Sequence, residues 1–138
     1  RVRLLEELCA ALAVMKSEIA SLQTPLPELF SRLSHEGPPR LRAFFAANAA
    51  LAAEGRLSEG WTASAAALPA GERAYAALAR LGLSLGRYDA LRQCAELDTA
   101  RESIAAAAET ERTRLERRGR LLPGLGACLG AMLAILLL

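Results

Sequence analysis

The sequence predicts an all-α protein: a six-helix antiparallel bundle over residues 1–119, followed by a C-terminal transmembrane helix over 120–138. Three observations carry this. The chain is 53% hydrophobic but only 4% aromatic, so alanine and leucine dominate, and with arginine and glutamate these favour helix. Apolar residues recur at helical spacing between proline and glycine breaks. Lastly, "LLPGLGACLGAMLAILLL", Leu121–Leu138, carries no charge and directly follows "RTRLERRGR", Arg112–Arg120.

The first helix is expected over 2–22. Leu5, Leu8, Leu12, Met15, Ile19 and Leu22 form an unbroken heptad seam, with Glu6, Glu7, Lys16 and Glu18 off it. Such a seam requires a long helical partner. "TPLPELFSRL" then turns the chain, because a helix cannot run undisturbed through Pro25. A short helix follows over 25–35. Thr24 is expected to cap it, its Oγ accepting from the Leu26 N–H, with Pro25 at the first helical position and Pro27 in the first turn.

A third helix is expected over 38–54, entered through Pro38 and Pro39 and ended by Gly55. Leu41, Phe44, Phe45, Asn48 and Leu51 lie on one side of it. The fourth, over 58–68, has Ser58 as a candidate cap and Trp61 as its anchor. Tyr75, Leu78, Leu81 or Gly82, and Leu85 line the fifth, over 71–85, which Gly86 breaks. The sixth, over 88–119, contains no proline and no glycine before Gly119. Its stripe of Leu91, Cys94, Leu97, Ile104, Ala108 and Leu115 is the natural partner of the first seam.

The tail has no polar side, unlike a core helix in water, and its length reaches the lower end of a bilayer span. Gly126 and Gly130 give it a small-residue face for another membrane helix. Arg112, Arg114, Arg117, Arg118 and Arg120 make a basic collar on one side only. Arginines stay cytoplasmic, so the helical body is expected inside and the C-terminus across the membrane or in its far interface. A bend is expected near Pro123.

Composition and motifs narrow the function classes. A net charge of +2 is too small to imply nucleic acid. Cys9, Cys94 and Cys128 form no CxxC pair, and with His35 as the one histidine they make no recognisable zinc site. They read as small core or membrane residues in a reducing compartment. No nucleotide-binding loop is present, and the carboxylate pairs Glu6/Glu7 and Glu109/Glu111 lie among arginines as solvated faces. Neither an enzyme nor a cofactor is expected.

"TPLPELFSRL" (Thr24–Leu33), "EGRLSEGW" (Glu54–Trp61), "LGLSLGRYDALRQ" (Leu81–Gln93) and the glycine-containing tail, in that order, resemble the stage III sporulation protein AB family of endospore-forming bacteria. TPLPE and LG-x-x-D-x-x-x-Q, here Leu85, Gly86, Asp89 and Gln93, are its most specific pieces. Family members usually begin with a membrane helix, and a start at Arg1 fits a first span removed, which the sequence leaves open. The resemblance also implies a body similar to the cytoplasmic bundles of F-family platform proteins in type II secretion and type IV pilus systems. The expected role is a platform in the channel complex between mother cell and forespore. There the chain would dock a secretion-type ATPase and other subunits from the outer forespore membrane, its body in the mother-cell cytoplasm, with self-association left open. The alternative is a tail-anchored surface protein that binds anionic lipid through its basic neck.

Overall fold

The structure, a computed structural model, describes the backbone of residues 1–137 and the side chains of residues 1–118. It is helical, with no strand among the described residues. The elements are α1 (Val2–Leu22), α2 (Leu26–Glu36), a 3₁₀ turn (Pro39–Leu41), α3 (Arg42–Ala53), α4 (Leu57–Ala67), α5 (Glu72–Gly82) and α6 (Ala90–Leu137). α1 packs along α6, which also carries α5; α4 packs on α5, α3 on α4, and α2 on α3 with a lighter return to α1. The body is therefore a ring of helices closed on one core.

Its spine is the pairing expected from the two apolar patterns. Leu5, Leu8, Leu12, Met15 and Ile19 of α1 are buried with Leu97, Ala100, Ile104 and Ala108 of α6 in one cluster. The polar margins fix the direction. Arg1 meets Glu111 while Lys16 meets Asp98 at 2.8 Å, so the helices run antiparallel. That hydrogen bond from Lys16 holds the Asp98 carboxyl below the usual carboxylate range. Cys94 is buried and Cys9 half-buried on this pairing, both as free thiols. Their Sγ atoms lie 3.7 Å from the Lys16 carbonyl and 3.8 Å from the Arg101 carbonyl.

The other half of the ring is held by aromatics. Phe30, Phe44, Phe45 and Trp61 come from three helices and pack with ring centroids 5.1–5.8 Å apart. Trp61 Nε1 donates to the Leu78 carbonyl at 2.7 Å, so α4 is bonded to α5 through a fully buried indole. Scarce aromatics are concentrated at one site. Buried Asn48 is also satisfied, donating to the Phe44 carbonyl at 2.9 Å and to Ser64 Oγ at 3.1 Å.

Several expectations are corrected. Leu22, Leu91 and Leu115 are 69%, 83% and 55% exposed. In the antiparallel pairing Leu22 and Leu91 fall at one extreme, where α1 ends. Leu115 falls beyond Arg1 at the other, with no facing turn of α1. Thr24 does not cap α2. The Pro25 carbonyl accepts the first intrahelical bond, from the Leu29 N–H, so Pro25 itself occupies the cap position and supplies no side-chain acceptor. Thr24 Oγ1 instead donates to Glu18 Oε2 at 2.8 Å; a carboxylate is the stronger acceptor, and Pro27 offers no N–H in return. Ser58 lies inside α4, which starts at Leu57. Tyr75 is exposed, and Ala74 takes the inner position. The third helix enters through a 3₁₀ turn, and the fifth ends at Gly82.

The boundary expected between 119 and 120 falls within α6, whose backbone is helical to Leu137. The transmembrane helix expected over 120–138, with Arg120, Gly126 and Gly130, lies outside the residues whose side chains are described. No helix among the described residues is long and apolar enough to cross a membrane.

Gly82 permits the α4–α5 approach. A Cβ there would stand 2.3 Å from Trp61 Cδ1 and 2.8 Å from Nε1, against a rigid ring already bonded to Leu78. Helix propensity alone favours Gly82→Ala by about 1 kcal/mol. Displacing the indole costs typically 1–3 kcal/mol, so the variant is expected to be less stable. A thermal melt with the midpoint at or above that of the parent contradicts this.

Candidate interaction surface

The end of the bundle where α1 finishes and α6 begins is built by hydrogen bonds that the pattern of apolar residues does not reveal. Asp89 caps α6: its Oδ1 accepts from the Arg92 N–H at 2.8 Å. Gln93, one turn on, reaches back. Its Oε1 accepts from the Gly86 N–H at 3.2 Å, and its Nε2 donates to the Tyr88 carbonyl at 2.7 Å. Gly86 takes φ +76°, a conformation that other residues adopt only with strain, and a Cβ there would press on Leu26 Cδ1 at 3.3 Å. Gly86, Asp89 and Gln93 therefore form a turn clamp, entered from the buried Leu85, that fixes how α6 leaves α5.

Thr24 and Pro25 lie against this clamp, lining with Gly86, Ala90 and Gln93 a cleft of about 360 Å³. A second cleft, of about 420 Å³, adjoins it. Leu26 and Pro27 line it from α2, Leu57 and Ser58 from α4, and Leu85 and Arg87 from the turn before α6. Three segments distant in sequence (Thr24–Leu33, Glu54–Trp61 and Leu81–Gln93) thus converge on one end. Large apolar side chains stand exposed there as well. Leu83 is 66% exposed, and Leu22 and Leu91 belong to the same end. The Arg92 guanidinium covers the Tyr88 ring at 3.9 Å from its centroid.

The basic collar lies at the opposite end, 28 residues along α6 from Ala90 to Arg118, or about 42 Å of helix. Its members are differently engaged. Arg112 is bonded to Glu6 of α1 and to Glu109 at 3.1 Å, and the Glu6 bond raises its already high pKa. Arg114 pairs with Glu111 at 3.3 Å. Arg117 and Arg118 face a groove with Arg73 of α5, while Arg120 is outside the described side chains. The collar and the residues around Thr24 are therefore not brought together. His35 is exposed at the end of α2, its Nδ1 2.9 Å from the Ser31 carbonyl. Among the described residues no group of His, Cys, Asp and Glu is placed to hold a metal ion.

A family model described as stage III sporulation protein AB matches residues 1–138. The chain belongs to the stage III sporulation protein AB family. Membership carries a role in stage III of sporulation. Comparison with curated proteins and with solved structures gives no significant match. The segments on which the resemblance rests gain a physical meaning from the fold. LG-x-x-D-x-x-x-Q is the clamp at the head of α6, and TPLPE is the segment packed against it. The sequence singled out Leu85, Gly86, Asp89 and Gln93 together as a motif but not the hydrogen bonds that join them, and it carried no sign of Arg73. The paired spacing of Asp89 and Gln93 on the first turn of a helix was the available signal for the clamp. Nothing in the linear order pairs Arg73 with Arg117.

Proposed function

We propose that this chain is a non-enzymatic membrane platform subunit of the channel complex between mother cell and forespore. It docks a secretion-type ATPase and other channel subunits. In this reading the Leu121–Leu138 tail anchors the chain in the outer forespore membrane and the bundle stands in the mother-cell cytoplasm. The observation that carries the reading is the convergence of the three family segments on the end opposite the basic collar, with Leu83 and Leu91 exposed there. An isolated exposed leucine is ordinary; several at one cleft-bearing end make a docking surface.

The contact acts by position. Partners confined to one assembly meet at an effective concentration near ~mM, so an affinity of roughly micromolar suffices. Polar groups around the apolar patch, Arg87 among them, supply orientation. The test is co-purification of the full chain with the ATPase of the same complex from sporulating cells. Recovery of the ATPase with the chain supports the reading. Its absence under conditions that recover other membrane subunits contradicts it.

A further inference from the structure

The groove between α5 and α6 at the collar end is larger than either cleft at the other end, about 690 Å³, and its charge is one-sided. Arg73 forms one wall; Arg114, Arg117 and Arg118 form the other. Glu109 also lines it, but that carboxylate is bonded to Arg112 at 3.1 Å, and Arg114 is partnered by Glu111 outside the groove lining. Arg73, Arg117 and Arg118 make no ion pair among the described residues. Arg73 is moreover the second residue of α5, at the positive end of the helix dipole, where a cation is disfavoured. Three guanidiniums without an ion pair, with the paired Arg114 beside them, thus line one groove whose single lining carboxylate, Glu109, is engaged by Arg112. A bound anion would relieve the repulsion.

We propose that this groove is a site for the phosphate of an anionic phospholipid headgroup. Arg117 precedes Leu121, the first residue of the uncharged tail, by four positions, or about 6 Å of helix, so a groove here opens at headgroup level. This position rests on the reading of the tail as a membrane anchor. The chemistry is that of arginine with phosphate, whose oxygens accept two N–H donors from one planar guanidinium. Arg73 distinguishes a two-walled site from a basic stretch that only lies on the surface: it is far from the collar in sequence and reaches the phosphate from another helix.

The experiment uses the full chain in non-ionic detergent, titrated with phosphatidylglycerol, with phosphatidylcholine and with inorganic phosphate, bound lipid being read by native mass spectrometry. Phosphatidylglycerol is expected to bind in preference to phosphatidylcholine, and Arg73→Gln to weaken it by about five-fold, the effect of one basic residue near an anionic surface. Arg73→Lys keeps the charge but not the paired donors and should bind between the parent and Arg73→Gln, while Arg80→Gln, in the last turn of α5 at the other end of the bundle, should retain all of the binding. Unchanged binding by Arg73→Gln overturns the site in favour of the collar alone. Equal binding of the two lipids overturns it outright, and displacement of the lipid by millimolar inorganic phosphate reassigns the groove to the free ion. ATPase docking is read separately at the far end, so either reading can fail while the other stands.

Discussion

Trp61→Ala is expected to lower the stability of the helical body by about 3–5 kcal/mol, moving its thermal midpoint down by roughly 10–20 °C. The indole is 1% exposed and sits where α2, α3, α4 and α5 meet. Its ring packs at 5.8 Å on Phe30 and 5.1 Å on Phe44. Removing it opens a cavity among three phenylalanines already packed on one another, and it removes the buried indole donor to the Leu78 carbonyl. Gly82, which exists to admit the ring, is left facing empty space. Trp61→Phe keeps most of the volume and loses only the N–H, so it should cost substantially less. Loss of helical circular dichroism on heating gives both midpoints. A Trp61→Ala midpoint within a few degrees of the parent contradicts this account of the core.

Leu12→Ala is expected to cost about 2–5 kcal/mol. Leu12 is 2% exposed at the middle of α1, on the seam that faces the α6 stripe. The stripe contributes Ala100, Ala107 and Ala108 beside Leu97 and Ile104. Alanines have no longer side chain to swing into a gap, so the void at Leu12 persists unless the helices approach. Because α1 and α6 run together over most of the length of α1, such an approach would disturb the neighbouring turns. Urea unfolding of Leu12→Ala with an unchanged midpoint would show that the seam is not the spine.

These two sites also mark what the sequence made legible. The α1 seam was readable because steps of three and four can be satisfied only by a helix with one buried face. Its partner was readable because a run from Ala90 to Arg118 without proline or glycine admits few alternatives. Where the two helices stop overlapping was not readable. Periodicity continues through Leu22, Leu91 and Leu115, but burial ends where the neighbour ends, which is a property of three-dimensional register. Thr24 misled for another reason. A hydroxyl ahead of a proline pair looks like a cap, yet its better acceptor, Glu18, lies on the preceding helix. The clamp of Gly86, Asp89 and Gln93 could be recognised as a motif, but its chemistry required the turn geometry. Arg73 carried no signal at all until α5 was laid beside α6.

The central claim is that the end of the bundle opposite the collar holds the partner. The direct measurement is a titration of the full chain in detergent against the secretion-type ATPase of the same complex, for the parent, for Leu83→Glu/Leu91→Glu and for Arg117→Glu/Arg118→Glu. Leu83 and Leu91 are exposed, so both double variants should keep the thermal midpoint of the parent. The account predicts binding of roughly micromolar strength by the parent, as suits a tethered contact. It predicts a loss of at least about ten-fold for the leucine variant, as expected when charges replace the apolar anchors of an interface, and little change for the collar variant. Binding that survives the leucine substitutions and disappears with the collar would contradict it.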